Sequence, residues 1–146
     1  MIDGRNWLVA GGALSAVASA LHLGCIAGGP AWYRFFGAGE KIARMAERGW
    51  HAVPVTLLIA AVLAGWSAYA LSGAGALPRL PLLRPALVAI TAVYLLRGLI
   101  VLPIAIVRPA MLSPFWLWSS AIVLGYGIVH AVGVWRAWPT LSRDWG

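Results

Sequence analysis

Apolar residues run almost unbroken through four blocks, about 7–27, 52–72, 86–107 and 115–135, and charged residues and turn-forming residues collect between them. At 1.5 Å of rise per residue, each block of about 20 residues makes a helix that crosses a hydrocarbon core roughly 30 Å thick. The expected fold is an all-α integral membrane protein, a four-transmembrane-helix bundle that forms a single domain over residues 1–146.

The segment 30–50, between the first two blocks, adds one further element. It opens with Pro30, Trp32, Tyr33, Arg34, Phe35 and Phe36, whose aromatics and single cation suit the headgroup boundary. Over 39–50, Ile42, Met45 and Ala46 fall on one side and Glu40, Lys41, Arg44, Glu47 and Arg48 on the other. That pattern predicts a short interfacial amphipathic helix lying on the membrane. Glu40 stands four residues before Arg44, the favourable order for a surface ion pair worth about 0.2–0.5 kcal/mol.

Local signals refine the spans. In the first, Gly12, Ala16, Ala20 and Gly24 recur every four residues. Such a stripe lets another helix come close, either from the same chain or from a second copy in a homo-oligomer. Pro54 is tolerated in the first turn of the second span. Residues 73–85, rich in Gly, Pro and Leu, predict a turn without regular structure. Pro103 withholds a backbone hydrogen bond from Leu99 and is expected to kink the third span, which ends at Arg108-Pro109. Trp116 and Trp118 mark one boundary of the fourth span, and Trp135 and Trp138 the other.

Composition agrees with a membrane solvent, since 62% of the 146 residues are hydrophobic and only 10% are charged. The net charge of +7 does not point to nucleic acid: the basic residues lie in the short connections, beside anionic lipid headgroups. The lone Cys25 excludes an intramolecular disulfide and a CxxC redox pair. Arginine outnumbers lysine ten to one, which suggests a bacterial source and hence the inner membrane. Ala18, Ser19 and Ala20 resemble a signal-peptide cleavage site. The leader, however, carries only Arg5 against Asp3, and His22 stands where a lipobox wants Leu, so the segment is expected to be a retained span.

Basic residues do not orient the chain. The N-terminus, second connection and C-terminus carry Arg5, Arg79, Arg84, Arg136 and Arg143. The first and third connections carry Arg34, Lys41, Arg44, Arg48 and Arg108, which is also five. A tie of this kind fits dual topology, as in small four-span exporters and fluoride channels that assemble as antiparallel pairs.

Arg97 lies in the middle of the third block, where a permanent charge costs roughly 2.5–3.5 kcal/mol and needs a partner, a wet cavity or a ligand. The chain has four acidic residues, Asp3, Glu40, Glu47 and Asp144, and none falls within a block. Counting from the N-terminal side at 1.5 Å per residue, Thr91 and His130 lie at about 8 Å, Tyr94 and Tyr126 at about 12–14 Å, Arg97 at about 16 Å and His22 at about 22 Å. Thr91, Tyr94 and Arg97 share one helical face, as do Tyr126 and His130. The expected ligand-binding set is therefore Arg97 with Tyr94, Tyr126 and His130.

Other chemistry has little to stand on. His22 and His51 approach the same boundary from neighbouring spans, but their depths differ by about 8 Å, so a haem between them is disfavoured and no cofactor is expected. No His, Asp or Glu pair stands at i, i+4 on one predicted helix, so no metal site is expected. Nucleophile elbows, P-loops and paired carboxylates are absent. If catalysis occurs, His22, Glu47 and His51 are its acid–base candidates. Size and four-span layout are similar to those of DoxX-like proteins, associated with quinone chemistry, and of the MAPEG enzymes that conjugate glutathione. That similarity is one of layout, and no residue roles are carried over from it. The leading expectation is a protein that binds or transports a lipophilic or anionic small molecule, such as a quinone, lipid or fatty acid. A dual-topology transporter or channel, a membrane enzyme and an accessory subunit of a larger complex are the alternatives.

Overall fold

A computed structural model describes residues 3–36, 40–48 and 52–142. Among them every regular element is helical: α1 (Gly4–Phe35), α2 (Glu40–Glu47), α3 (Ala52–Gly73), α4 (Leu83–Leu99), α5 (Val101–Val107) and α6 (Pro114–Leu141), with a 3₁₀ turn at Pro109–Met111. Gly4–Phe35, Ala52–Gly73, Leu83–Val107 and Pro114–Leu141 are long and apolar enough to cross a membrane, and the four predicted blocks lie within them.

The helices outrun the apolar blocks because polar groups finish their ends. Asp3 starts α1 three residues early: its carboxylate accepts from the Arg5 N–H at 2.6 Å, and its carbonyl accepts from Trp7 at 3.4 Å. At the other end of α1, Gly29 takes φ 62°, ψ −154°, a conformation nearly reserved for glycine. Pro30 then opens a second helical piece, and Trp32 folds back over Gly24 and Gly28.

Helix α3 closes in a Schellman motif. Ala76 N–H bonds Leu71 O at 2.9 Å and Gly75 N–H bonds Ser72 O at 3.0 Å, with Gly75 at φ 71°. The Pro103 effect is an interruption of hydrogen bonding between α4 and α5. Ile100, between them, keeps helical angles of φ −59° and ψ −21°. Ser113 caps α6, accepting from Trp116 N–H at 3.4 Å with Pro114 at the first helical position.

At the far end α6 passes Pro139 and continues to Leu141, six residues beyond the predicted apolar block 115–135. Its buried face extends through Val134, Ala137 and Leu141, and donors finish the last turn. Ser142 Oγ donates to Trp138 O at 2.7 Å and Arg79 Nη2 to Leu141 O at 2.7 Å.

The chain forms two compact units, Met1–Leu14 with Trp66–Gly146, and Ser15–Gly65. In the first, Leu8, Ala70, Ala74, Leu83, Leu87, Val134, Ala137 and Leu141 make the core. In the second, Tyr33, Ala43 and Ala52 are buried together, with Cys25, Ile42, Met45 and Ala46 against them. The apolar face of α2, expected to lie on the membrane, is thus turned onto the protein, and Ala43 is at its centre. The expected partner of Arg44, the Glu40 side chain, lies outside the described residues.

Candidate functional site

Helices α4 and α6 run against each other at two glycines. A Cβ on Gly98 would come within 2.7 Å of Leu124 Cα, and one on Gly127 within 2.9 Å of Leu95 N. Backbones this close bring the polar residues of both helices face to face.

Three of the four expected ligand-binding residues meet there. The Tyr94 ring is centred 5.7 Å from Tyr126 in an edge-on contact and 5.0 Å from the His130 imidazole; Trp66 packs edge-on against Tyr94 at 4.9 Å. His130 is fully buried. Its Nδ1 lies 2.9 Å from Tyr126 O, and because a carbonyl only accepts, Nδ1 carries the proton. The other nitrogen, Nε2, is buried with no hydrogen-bond partner among the described residues. Gly11 of α1 covers the ring, since a Cβ at that position would sit 2.9–3.1 Å from Cε1, Nδ1 and Nε2.

Arg97 takes different company. Nη1 donates to Ser120 Oγ at 3.0 Å and Nη2 to Ser119 Oγ at 3.3 Å, while the guanidinium carbon lies 5.0 Å from the centre of the Trp116 ring. Among the described residues it makes no ion pair. Ser119 and Ser120 are only about 8–9 Å along α6 from its start. The guanidinium therefore reaches from the last turn of α4 toward the α6 N-terminal end, the direction a snorkelling arginine takes. Ser119, seven residues before Tyr126, falls on the Tyr126 stripe by helical spacing, whereas nothing in the sequence singles out Ser120, since a serine in an apolar helix reads as ordinary helix packing until its partner is placed.

A cavity of about 510 Å³ lies at the opposite end of α6. It is bounded by the first turn of α1, the end of α3 and the last turns of α6, and Arg5, Arg79 and Arg136 line it together with Asp3, Ser72 and Thr140. Gly4 makes this corner possible, because a Cβ there would meet the Ala137 backbone, 2.9 Å from its Cα. In the same unit Arg84 stacks over Trp138 at 4.0 Å, and among the described residues its buried Nε has no hydrogen-bond partner. The sequence assigns Arg5, Arg79 and Arg136 to one side of the bundle, but being on three separate stretches of chain they are brought to one cavity only by the fold.

In the second unit, Glu47 forms an ion pair with Arg34, and both side chains are about half exposed. His22 Nδ1 lies 2.7 Å from Ala18 O. His51, the third acid–base candidate, lies outside the described residues. Tyr33 and Thr56 hydroxyls are 2.8 Å apart, and Thr56 also donates to Ala52 O at 2.8 Å. No three His, Cys, Asp or Glu side chains gather into a metal-binding group among the described residues. Of the small-residue stripe, Gly12 is covered by Leu71 and accepts from Ser67 Oγ at 2.8 Å, and Gly24 is covered by Trp32. Ala16 and Ala20 are exposed.

No protein-family model matches the chain, and no curated protein or solved structure matches it either.

Proposed function

We propose that this chain is an integral protein of a bacterial inner membrane that binds or carries a lipophilic anion, a fatty acid or a quinone-like molecule, with Arg97 as the charged contact. One observation carries the reading. Arg97 is held by two neutral hydroxyls and an aromatic face, so its charge is left for a ligand to neutralise. Such a site needs an apolar surround, and broad apolar surfaces at Leu58, Leu96, Leu102, Ile106 and Trp118 suit a chain solvated by lipid. Tyr94, one turn from Arg97, begins an aromatic cluster that continues through Tyr126 to His130; Tyr94 and His130 are buried, so Tyr126 is the ring of that cluster that would meet the body of the ligand.

The test is binding of a fluorescent fatty acid to the full chain in nanodiscs, in parallel with a short-chain benzoquinone. Arg97→Gln keeps donors but removes the charge, and should weaken the fatty acid at least about tenfold; Arg97→Lys should recover part of the loss. Unchanged affinity in Arg97→Gln would overturn the reading.

A second reading, a carrier built from antiparallel copies, is favoured by the five-to-five division of basic residues between the two sides. Topology reporters fused to the C-terminus decide it. Signal from both sides of the membrane supports antiparallel copies, and signal from one side removes them.

A further inference from the structure

The two arginines of α4, Arg84 and Arg97, stand at opposite ends of that helix, about 20 Å apart along its axis, and Arg84 takes no part in the Arg97 site. We infer that Arg84 and Trp138 seat the headgroup of an anionic phospholipid whose chains follow the seam between α4 and α6. This rests on the chain being an integral membrane protein and not on the Arg97 ligand. The guanidinium carbon of Arg84 lies 4.0 Å from the centre of the Trp138 ring, and its buried Nε has no hydrogen-bond partner among the described residues. Among those residues Arg84 also makes no ion pair, so its charge is not neutralised from within the chain. The indole face orients the group but supplies no acceptor oxygen. What remains is the Nη1/Nη2 edge, a pair of parallel N–H donors open to an anion.

Charge and position select the occupant. Leu83 and Leu87 of α4 pack inward with Val134, Ala137 and Leu141 of α6. Outside that core, Arg84 and Val88 share one face of α4 at i, i+4, and Trp135 and Trp138 share one face of α6 at i, i+3. Val88, Trp135 and Trp138 are exposed. The cation therefore stands where α4 begins and α6 ends, the headgroup level of helices that cross a bilayer, and exposed apolar side chains follow one turn deeper on each helix. A phosphodiester presents two free oxygens to the guanidinium edge, and an apolar track on each of two helices suits two acyl chains, which a fatty acid lacks. Leu82 gives α4 no side-chain cap, so the positive end of that helix dipole adds to the field of Arg84. Such a field favours a lipid of net negative charge over a zwitterionic one.

The experiment uses the full chain in detergent with dioleoyl phosphatidylglycerol and dioleoyl phosphatidylcholine at equal concentration, and native mass spectrometry counts the lipid retained. Arg84→Gln removes the charge, whereas Trp138→Leu keeps it and removes the aromatic face. Circular dichroism verifies both folds, and Arg108→Gln, on the third connection, controls for general loss of positive charge. An alkaline wash of the membranes tests insertion separately, since an integral protein stays in the pellet.

The parent and Arg108→Gln should retain phosphatidylglycerol at least about fivefold over phosphatidylcholine. Arg84→Gln should lose that preference by about fivefold, and Trp138→Leu should lower it by about twofold or more. If Arg84→Gln does not fold, Trp138→Leu decides. Glycerol phosphate in about hundredfold excess should leave the lipid bound; displacement would give the site to soluble phosphoryl compounds and overturn the lipid assignment. A parent without preference, or an unchanged preference in either folded variant, overturns this inference alone. A chain released by the alkaline wash overturns the membrane reading and this inference with it.

Discussion

Gly11 lies against the imidazole of His130, closely enough that a methyl group on Gly11 would fall 2.9 Å from Cε1. A fully buried ring enclosed by Tyr94 and Tyr126 has no room to retreat. Gly11→Ala should therefore destabilise the fold by about 1–3 kcal/mol, the usual cost of overpacking. Gly125→Ala, where a Cβ meets nothing within 4 Å, is the control and should not lower the melting temperature. Thermal unfolding in detergent, followed by tryptophan fluorescence, distinguishes the two; equal melting temperatures would mean that the ring can move aside.

The partners of Arg97 are unequal, which makes them separable. Ser120 is almost fully buried and 3.0 Å from Nη1, whereas Ser119 is half-buried and 3.3 Å from Nη2. Removing the buried acceptor leaves a charged donor unserved, so Ser120→Ala should cost about 1–3 kcal/mol and Ser119→Ala less than about 1 kcal/mol. In an Arg97→Met background the Ser120→Ala cost should fall close to zero, and a double-mutant cycle on unfolding free energies measures that difference. A Ser120 cost that persists without the arginine would assign the serine a role in helix packing.

At Gly29 the backbone adopts φ 62°, ψ −154°, and an added Cβ would meet nothing within 4 Å. The strain of a substitution there is purely conformational. Gly29→Ala should lose about 1–3 kcal/mol with no steric clash to relieve. A melting temperature equal to the parent's would show that α1 can continue past this point as an unbroken helix.

Glu47 and Arg34 pair while remaining 47% and 43% exposed, so solvent screens most of their attraction. Glu47→Gln should change stability by less than about 1 kcal/mol at low ionic strength. In 1 M sodium chloride, with a screening length of about 3 Å, that difference should disappear. A larger effect that survives salt would place Glu47 in a role the ion pair does not describe.

The long apolar blocks were legible in the sequence because a helix that crosses a bilayer needs only length and apolarity, and both are local properties. The ends were less so. Asp3, Ser113 and the Gly75 turn are recognisable capping residues once the helices are placed, but the run of α6 past Pro139 depends on Arg79 and on Leu141 entering the core, contacts that no local window contains. The same limit applies to the polar residues. Tyr94, Tyr126 and His130 could be placed at similar depths by counting turns, and the structure brings their rings together. Counting turns cannot give the direction in which a long side chain bends, so Arg97 was set in the middle of its span while its guanidinium reaches Ser120 and Trp116. The arginines of the cavity share no helical face; Arg5, Arg79 and Arg136 became neighbours only through the crossing of Gly4 and Ala137.

That crossing also sets an order of events during synthesis. The first turn of α1 rests on a part of α6 that the ribosome makes 133 residues later, taking Ala137 minus Gly4, and Arg79 waits for Leu141 in the same way. With elements added one after another as the chain emerges, neither contact can form until Ala137 and Leu141 have left the ribosome. The corner holding Arg5, Arg79 and Arg136 is thus the last part of its unit to close, and a stop codon before Ala137 would leave α1 without the surface it rests on.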